Sequence, residues 1–138
     1  MYIPVILGTA RKERQSEKIA CYVKDSIVEH AEIETQLIDI QTYAWGETIP
    51  SWVEDDRSKG WKQLVNKADG FVLVVPEYNN SYPGELKILL DSALEEYKDK
   101  PFGVCAVSSG GFGGARVVEM MKLLIVRLGG IPVEPAYV

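Results

Sequence analysis

Along this chain the apolar positions switch repeatedly between two patterns: short continuous runs, as in buried strands, and the three-to-four-residue spacing of amphipathic helices. Ile3 to Leu7 is a run closed by Gly8, and from Ser16 the pattern turns helical, with Ile19, Ala20, Val23 and Ile27 on one face. Ile33 to Ile40 predicts a second strand centred on Leu37 and Ile38. An irregular region from Gln41 to Arg57 carries Tyr43, Trp45, Pro50 and Trp52, and a second helical face follows at Trp61, Leu64, Val65 and Ala68. Asp69-Gly70 turns into a third strand, Phe71 to Val75, and a third helix carries Leu86, Leu89, Leu90, Ala93 and Leu94. Phe102 to Val107 is a fourth strand and Ala115 to Leu128 a fourth helix, ended by Gly129-Gly130. Ile131 to Val138 predicts a fifth strand.

Strands alternating with helices imply α/β architecture, a parallel sheet with helices on both faces. Right-handed crossovers leave few topologies, and the order 2-1-3-4-5 is the natural one for five strands. The 138 residues form one domain, 1–138, with no repeats, linkers or low-complexity segments. No helix follows the fifth strand. Either one sheet face is partly open, or a partner covers it, or the chain is truncated.

Charge and cysteine content narrow the function classes. A net charge of −5 disfavours nucleic acid or an anionic membrane as the main partner. No apolar run approaches the length of a membrane span. The N-terminus enters a strand directly, so a cytoplasmic protein without a signal peptide is expected. Cys21 and Cys105 are too far apart for a metal or redox pair and sit in apolar patterns, as reduced thiols. The one histidine, His30, lies near the end of the first helix, away from the loops, which gives triad or histidine-metal catalysis almost no support.

Three loops follow strands one, three and four, on the carboxyl edge where open α/β sheets bind ligands. The first, Gly8 to Ser16, combines the hydroxyls of Thr9 and Ser16 with Arg11, Arg14 and a helix N-terminus, a set suited to one terminal phosphate; the alternative is a solvated basic turn with Ser16 as helix cap. It matches neither the dinucleotide nor the P-loop fingerprint. The second, Pro76-Glu77-Tyr78-Asn79-Asn80-Ser81-Tyr82-Pro83-Gly84, offers amides, an aromatic ring and a side-chain amide to a planar polar ligand. Its Pro83 and Gly84 open the third helix, with Ser81 as a possible cap. The third, Ser108 to Gly114, has four glycines that let backbone amides approach a ligand and face negative charge.

With these motifs the chain resembles the NAD(P)H-dependent FMN reductases of the flavodoxin-like fold, a family with quinone-, azo- and chromate-reducing members. The resemblance rests on Gly8-Thr9-x-Arg11…Ser16, on Pro76-Glu77-Tyr78-Asn79 with Pro83-Gly84-x-Leu86-Lys87 and Asp91, and on Gly110-Gly111-x-Gly113-Gly114. It implies a flavodoxin-like three-layer sandwich with FMN as cofactor and NADPH or NADH as co-substrate. By the resemblance Thr9, Arg11 and Ser16 hold the FMN phosphate, Pro76, Glu77, Tyr78 and Asn79 line the ribityl chain and ring, and Ser109, Gly110 and Gly111 meet the pyrimidine edge. Thr9 stands where the family commonly has serine, and the family's last helix is missing here.

Such a protein passes hydride from nicotinamide to flavin and then to a quinone, free flavin or similar small acceptor, with Tyr78, Tyr82 and Phe112 as candidate walls of the substrate slot. Amides of Gly110 and Gly111 and the helix beginning near Gly114 would face the charge of the reduced flavin. The nearest alternative is a flavodoxin-type electron carrier without nicotinamide chemistry. Lys87 and Asp91, four residues apart, suit a surface ion pair. Ile88 on the third helix, and Val118 and Ile125 on the fourth, extend apolar surface beyond one stripe, which favours a homodimer or homotetramer.

Overall fold

The computed structural model describes residues 1–138. Strand β1 (Val5–Leu7) lies inside a parallel sheet, pairing on one side with β2 (Leu37–Asp39) and on the other with the central strand β3 (Phe71–Pro76). Beyond β3 comes β4 (Pro101–Val107), and on its outer edge two short strands, β5 (Ile131–Pro132) and β6 (Ala136–Tyr137). The order is 2-1-3-4-5, as the alternation predicts. The helices α1 (Ser16–Val28), α2 (Asp56–Lys67), α3 (Gly84–Asp91) and α4 (Ala115–Arg127) fill the crossovers. No helix is long and apolar enough to cross a membrane.

Alternation along the strands sends side chains to two unequal cores. Phe71, Leu73 and Val75 of β3 and Phe102, Val104 and Ala106 of β4 face a large core with Trp61, Leu86, Leu89, Val117, Val118, Met121 and Ile125 from α2, α3 and α4. Phe71 stacks on Phe102, and the indole N–H of Trp61 donates to the Tyr97 hydroxyl at 2.9 Å, which satisfies two polar groups deep inside. The opposite face carries a smaller core of Val5, Leu7, Val74, Cys105 and Ala20, packed by α1 alone. At the β4–β5 edge of this face Val133 is 46% exposed.

Several elements differ from the sequence pattern. The fifth strand is two pieces rather than one, because Pro135 has no N–H for the ladder. Between Pro101↔Ile131 and Cys105↔Ala136 the register slips by one residue, the signature of a bulge. Regular β2 covers only Leu37–Asp39; ahead of it Ile3 and Val5 donate to the carbonyls of Glu34 and Gln36 without a regular strand. Ser16 is not the cap of α1 but its first helical residue, after Gln15. Ser81 does not cap α3, whose flanking residue is Pro83. Val118 and Ile125 are fully buried in the large core; the outward apolar residues of α4 are instead Met120, Leu123 and Val126. Of the tryptophans, Trp61 is core, Trp45 packs against it and Trp52 is exposed.

Candidate functional site

Each of the three loops leaves a strand at its carboxyl end, so the parallel register of β1, β3 and β4 brings them together. The first is rooted at Gly8, whose amide donates to the Val74 carbonyl at 2.9 Å. A Cβ at Gly8 would stand 2.9 Å from that carbonyl oxygen and 3.2 Å from Leu86, so only glycine lets the chain pass this close to β3 and α3. Thr9 is fully buried, and its hydroxyl is saturated: it donates to Glu85 at 3.2 Å and lies 3.2 Å from the Arg11 amide and 3.1 Å from the Tyr78 hydroxyl.

The two arginines of this loop have different surroundings. Arg14 has a side chain 5% exposed and forks onto both oxygens of Asp39, donates to the Thr9 carbonyl at 2.7 Å and reaches Glu17 at 3.4 Å. The Asp39 carboxylate raises its pKa further above the usual arginine range. Arg14 is thus spent on the fold. Arg11 is exposed, has no carboxylate partner and lies 5.7 Å from the Tyr78 ring centroid. Ser16, in the first turn of α1, is 2% exposed and its Oγ has no hydrogen-bond partner. A buried hydroxyl without a partner is rare in a protein interior. At a helix N-terminus, in the same loop segment as the uncommitted Arg11, such a hydroxyl suits an anionic oxygen.

Pro76 closes β3 in register with Val107, and the Glu77 amide donates to the Val107 carbonyl at 3.0 Å. Next comes a tight turn in which Tyr78 and Ser81 exchange backbone hydrogen bonds at 2.9 and 3.0 Å. Asn79 and Asn80 occupy it with φ of 50° and 64°, conformations that asparagine tolerates better than most residues. Their side chains are exposed. The Glu77 carboxylate has a task in the fold: its Oε2 accepts from the Val117 amide at 3.1 Å, capping α4 where Gly114 has no side chain to do so.

In the third loop the Gly110 amide donates to Ser108 Oγ at 3.1 Å, while the amides of Ser109 and Gly111 bond to nothing in the chain. All three residues are exposed. Gly114 sits at φ 83° with a would-be Cβ 2.8 Å from that of Ala106, so the turn into α4 also demands glycine. Phe112 is exposed under the Arg116 guanidinium at 4.4 Å, and Tyr82 packs against the large core.

Tyr78–Thr9 joins the first two loops, Glu77–Val117 the second and third, and Glu85 ties α3 to the first. Glu85, Asp39 and Gln41, which donates to the Ala10 carbonyl at 2.9 Å, are site residues that the motifs do not single out. Lys87 and Asp91 form the expected ion pair on α3. That pair borders a separate hollow of about 370 Å³, beneath Trp52 and the C-terminal end of α4.

A family model described as NADPH-dependent FMN reductase matches residues 1–138. The chain belongs to that family. Among its relatives is the NAD(P)H-dependent FMN reductase LOT6 of Saccharomyces cerevisiae, 30% identical, with 97% of this chain and 81% of that protein aligned. The NADPH azoreductase of Bacillus sp. is 34% identical over 88% of this chain and 66% of its own length. Among solved structures FerB, a flavoenzyme NAD(P)H:(acceptor) oxidoreductase from Paracoccus denitrificans, superposes with a TM-score of 0.79 at 25% identity, covering 99% of this chain and 78% of that one. This family member is an FMN-dependent oxidoreductase of flavodoxin-like fold using NAD(P)H.

Proposed function

We propose that the three-loop edge holds FMN and passes reducing equivalents from NADPH or NADH to a small planar acceptor, a quinone or a free flavin. The buried, unpartnered Ser16 hydroxyl carries this reading. With the free guanidinium of Arg11 it would take the phosphate. Gly8, Thr9 and Arg14 serve the same group indirectly, by holding the loop in place. Pro76, Glu77, Tyr78 and Asn79 would flank the ribityl chain and ring. The free amides of Ser109 and Gly111 would face the pyrimidine edge, with Gly110 shaping the turn between them. Bound FMN supplies the hydride-accepting ring, so the chain needs no acid, base or nucleophile of its own. Both cysteines are free thiols, which suits the cytoplasm.

The assembly in this reading is a homodimer through α4. Met120, Leu123 and Val126 present an apolar stripe to solvent, Leu123 being 70% exposed. Two antiparallel copies centred on Leu123 set Met120 against the partner's Val126 and Glu119 against the partner's Arg127. That pairing sets apolar against apolar and acid against base, the self-matching that a two-fold interface requires. Leu123→Glu should convert a dimer to a monomer in light scattering; an unchanged mass would exclude this face.

The deciding experiment is a visible spectrum after mixing with FMN and removing free ligand, followed by anaerobic NADPH. A retained flavin band that NADPH bleaches is expected. A band bleached by dithionite alone would make the protein an electron carrier, and no retained band would remove FMN as a resident cofactor.

A further inference from the structure

Glu85 stands in the first turn of α3, where an acidic side chain ordinarily only favours the helix N-terminus. Here it leaves its own helix and reaches the loop after β1. Its Oε1 accepts from the Ala10 amide at 2.8 Å and from the Thr9 hydroxyl at 3.2 Å. A hydroxyl has one proton, so Thr9, having given its own to Glu85, must accept from both the Arg11 amide and the Tyr78 phenol. The direction of the whole chain is then set: Tyr78 donates to Thr9, and Thr9 to Glu85. One carboxylate oxygen fixes the backbone at Ala10, the rotamer of Thr9 and the position of the Tyr78 hydroxyl.

This anchor is one of three that hold the segment. Arg14 clamps the Thr9 carbonyl toward Asp39, and Gln41 holds the Ala10 carbonyl. Only Glu85 engages donors, the Ala10 N–H and the Thr9 O–H. Without that acceptor the Ala10 amide and the Thr9 hydroxyl lose their partner, and the backbone that carries Arg11 loses an anchor, so an incoming anion meets a loop that must first be ordered. Glu85 adds no favourable charge toward a phosphate, so its contribution to binding one is an acceptor in the right place.

We propose that Glu85 is a positioning residue that sets this protein's preference for a phosphorylated flavin over one without phosphate. The proposal rests on the FMN reading above. It predicts a loss for only one of two variants that remove the same charge. Glu85→Gln keeps an oxygen for Ala10 and Thr9, while Glu85→Ala keeps none.

The test measures FMN and riboflavin affinity, and amide hydrogen exchange at Ala10 and Arg11 in the flavin-free protein, for wild type and both variants. For Glu85→Ala the expected result is about a tenfold loss of FMN affinity, with riboflavin changed by less than about twofold. Exchange at Ala10 and Arg11 should accelerate about tenfold in the same variant. Glu85→Gln should stay within about threefold of wild type in all three measurements. Equal losses in the two variants would assign the effect to charge and overturn the proposal. So would parallel losses of FMN and riboflavin, or unchanged exchange. Should wild type bind neither flavin while Ala10 exchange still responds to Glu85→Ala, the flavin reading fails and takes the specificity role with it, leaving Glu85 as a loop anchor only.

Discussion

The loops after β1 and β4 meet the same edge of the sheet but are built in opposite ways. The first is closed: Thr9, Ala10 and Arg14 are bonded to Glu85, Gln41 and Asp39, and within it the Ser16 hydroxyl is a buried group left without a partner. The loop after β4 is open: its glycines leave the amides of Ser109 and Gly111 unbonded and exposed. A compact dianion is best met by a rigid cradle, because each donor is worth most when it need not reorganise. The edge of a heterocycle needs only amides that a ligand can approach, which glycine provides. Changes to the bonded residues of the first loop should therefore cost stability and affinity together, whereas its unbonded Ser16 should cost affinity alone, and changes at the tip of the loop after β4 should cost little of either.

The largest expected effect is at Arg14. Arg14→Ala leaves Asp39 with only the Gln41 amide in place of its cation and frees the Thr9 carbonyl, and removing one member of such a pair costs about 3 kcal/mol. Thermal unfolding should fall by about 10 °C for a domain of this size. A drop of only a degree or two would mean that the first loop is not held by this clamp. Next comes Gly114→Ala at the base of the loop after β4. There the positive φ and the approach to Ala106 together cost about 2 kcal/mol, read by chemical denaturation. That loss would come from the root of the open loop, not from its tip.

The difference between the two arginines also marks what could be read in advance. Alternation of strands and helices was legible because periodicity is a local property, and it carried the sheet order and the coincidence of the three loops. Arg11 and Arg14 look equivalent in a sequence, three residues apart in one loop. Which of them the fold keeps is settled by Asp39, 25 residues away, and no local pattern records that distance. Glu85 is hidden for the same reason, 75 residues from Ala10 and wearing the ordinary look of a helix-start acid. The break in the last strand was different. Pro135 announces it, because a proline cannot donate to the ladder, and the continuous strand over Ile131 to Val138 overlooked that signal.

Ser16 sharpens the comparison because its two effects have opposite signs. Its hydroxyl bonds to nothing, so Ser16→Ala removes a desolvated polar group and should leave the flavin-free protein as stable as before or slightly more so. Affinity for FMN should nonetheless fall about tenfold, the worth of one hydrogen bond to a charged oxygen. Denaturation and FMN titration of the same variant test both signs. If Ser16→Ala destabilises the protein and leaves FMN affinity alone, the hydroxyl belongs to the fold and the first loop loses its claim to the phosphate.

The smallest effect belongs to Ser108, and its smallness is the point. Ser108 Oγ accepts from the Gly110 amide in a solvent-exposed turn, where water replaces a lost acceptor. Ser108→Ala should change stability by less than about 0.5 kcal/mol, within the range of ordinary surface substitutions. It also releases the Gly110 amide, so that three consecutive amides, Ser109 to Gly111, become free to face the ligand. An open loop should absorb that change with FMN affinity held within about twofold. A loss as large as that expected for Ser16→Ala would instead mean that the glycine loop is as preorganised as the loop after β1, with the Ser108 hydroxyl as its Glu85.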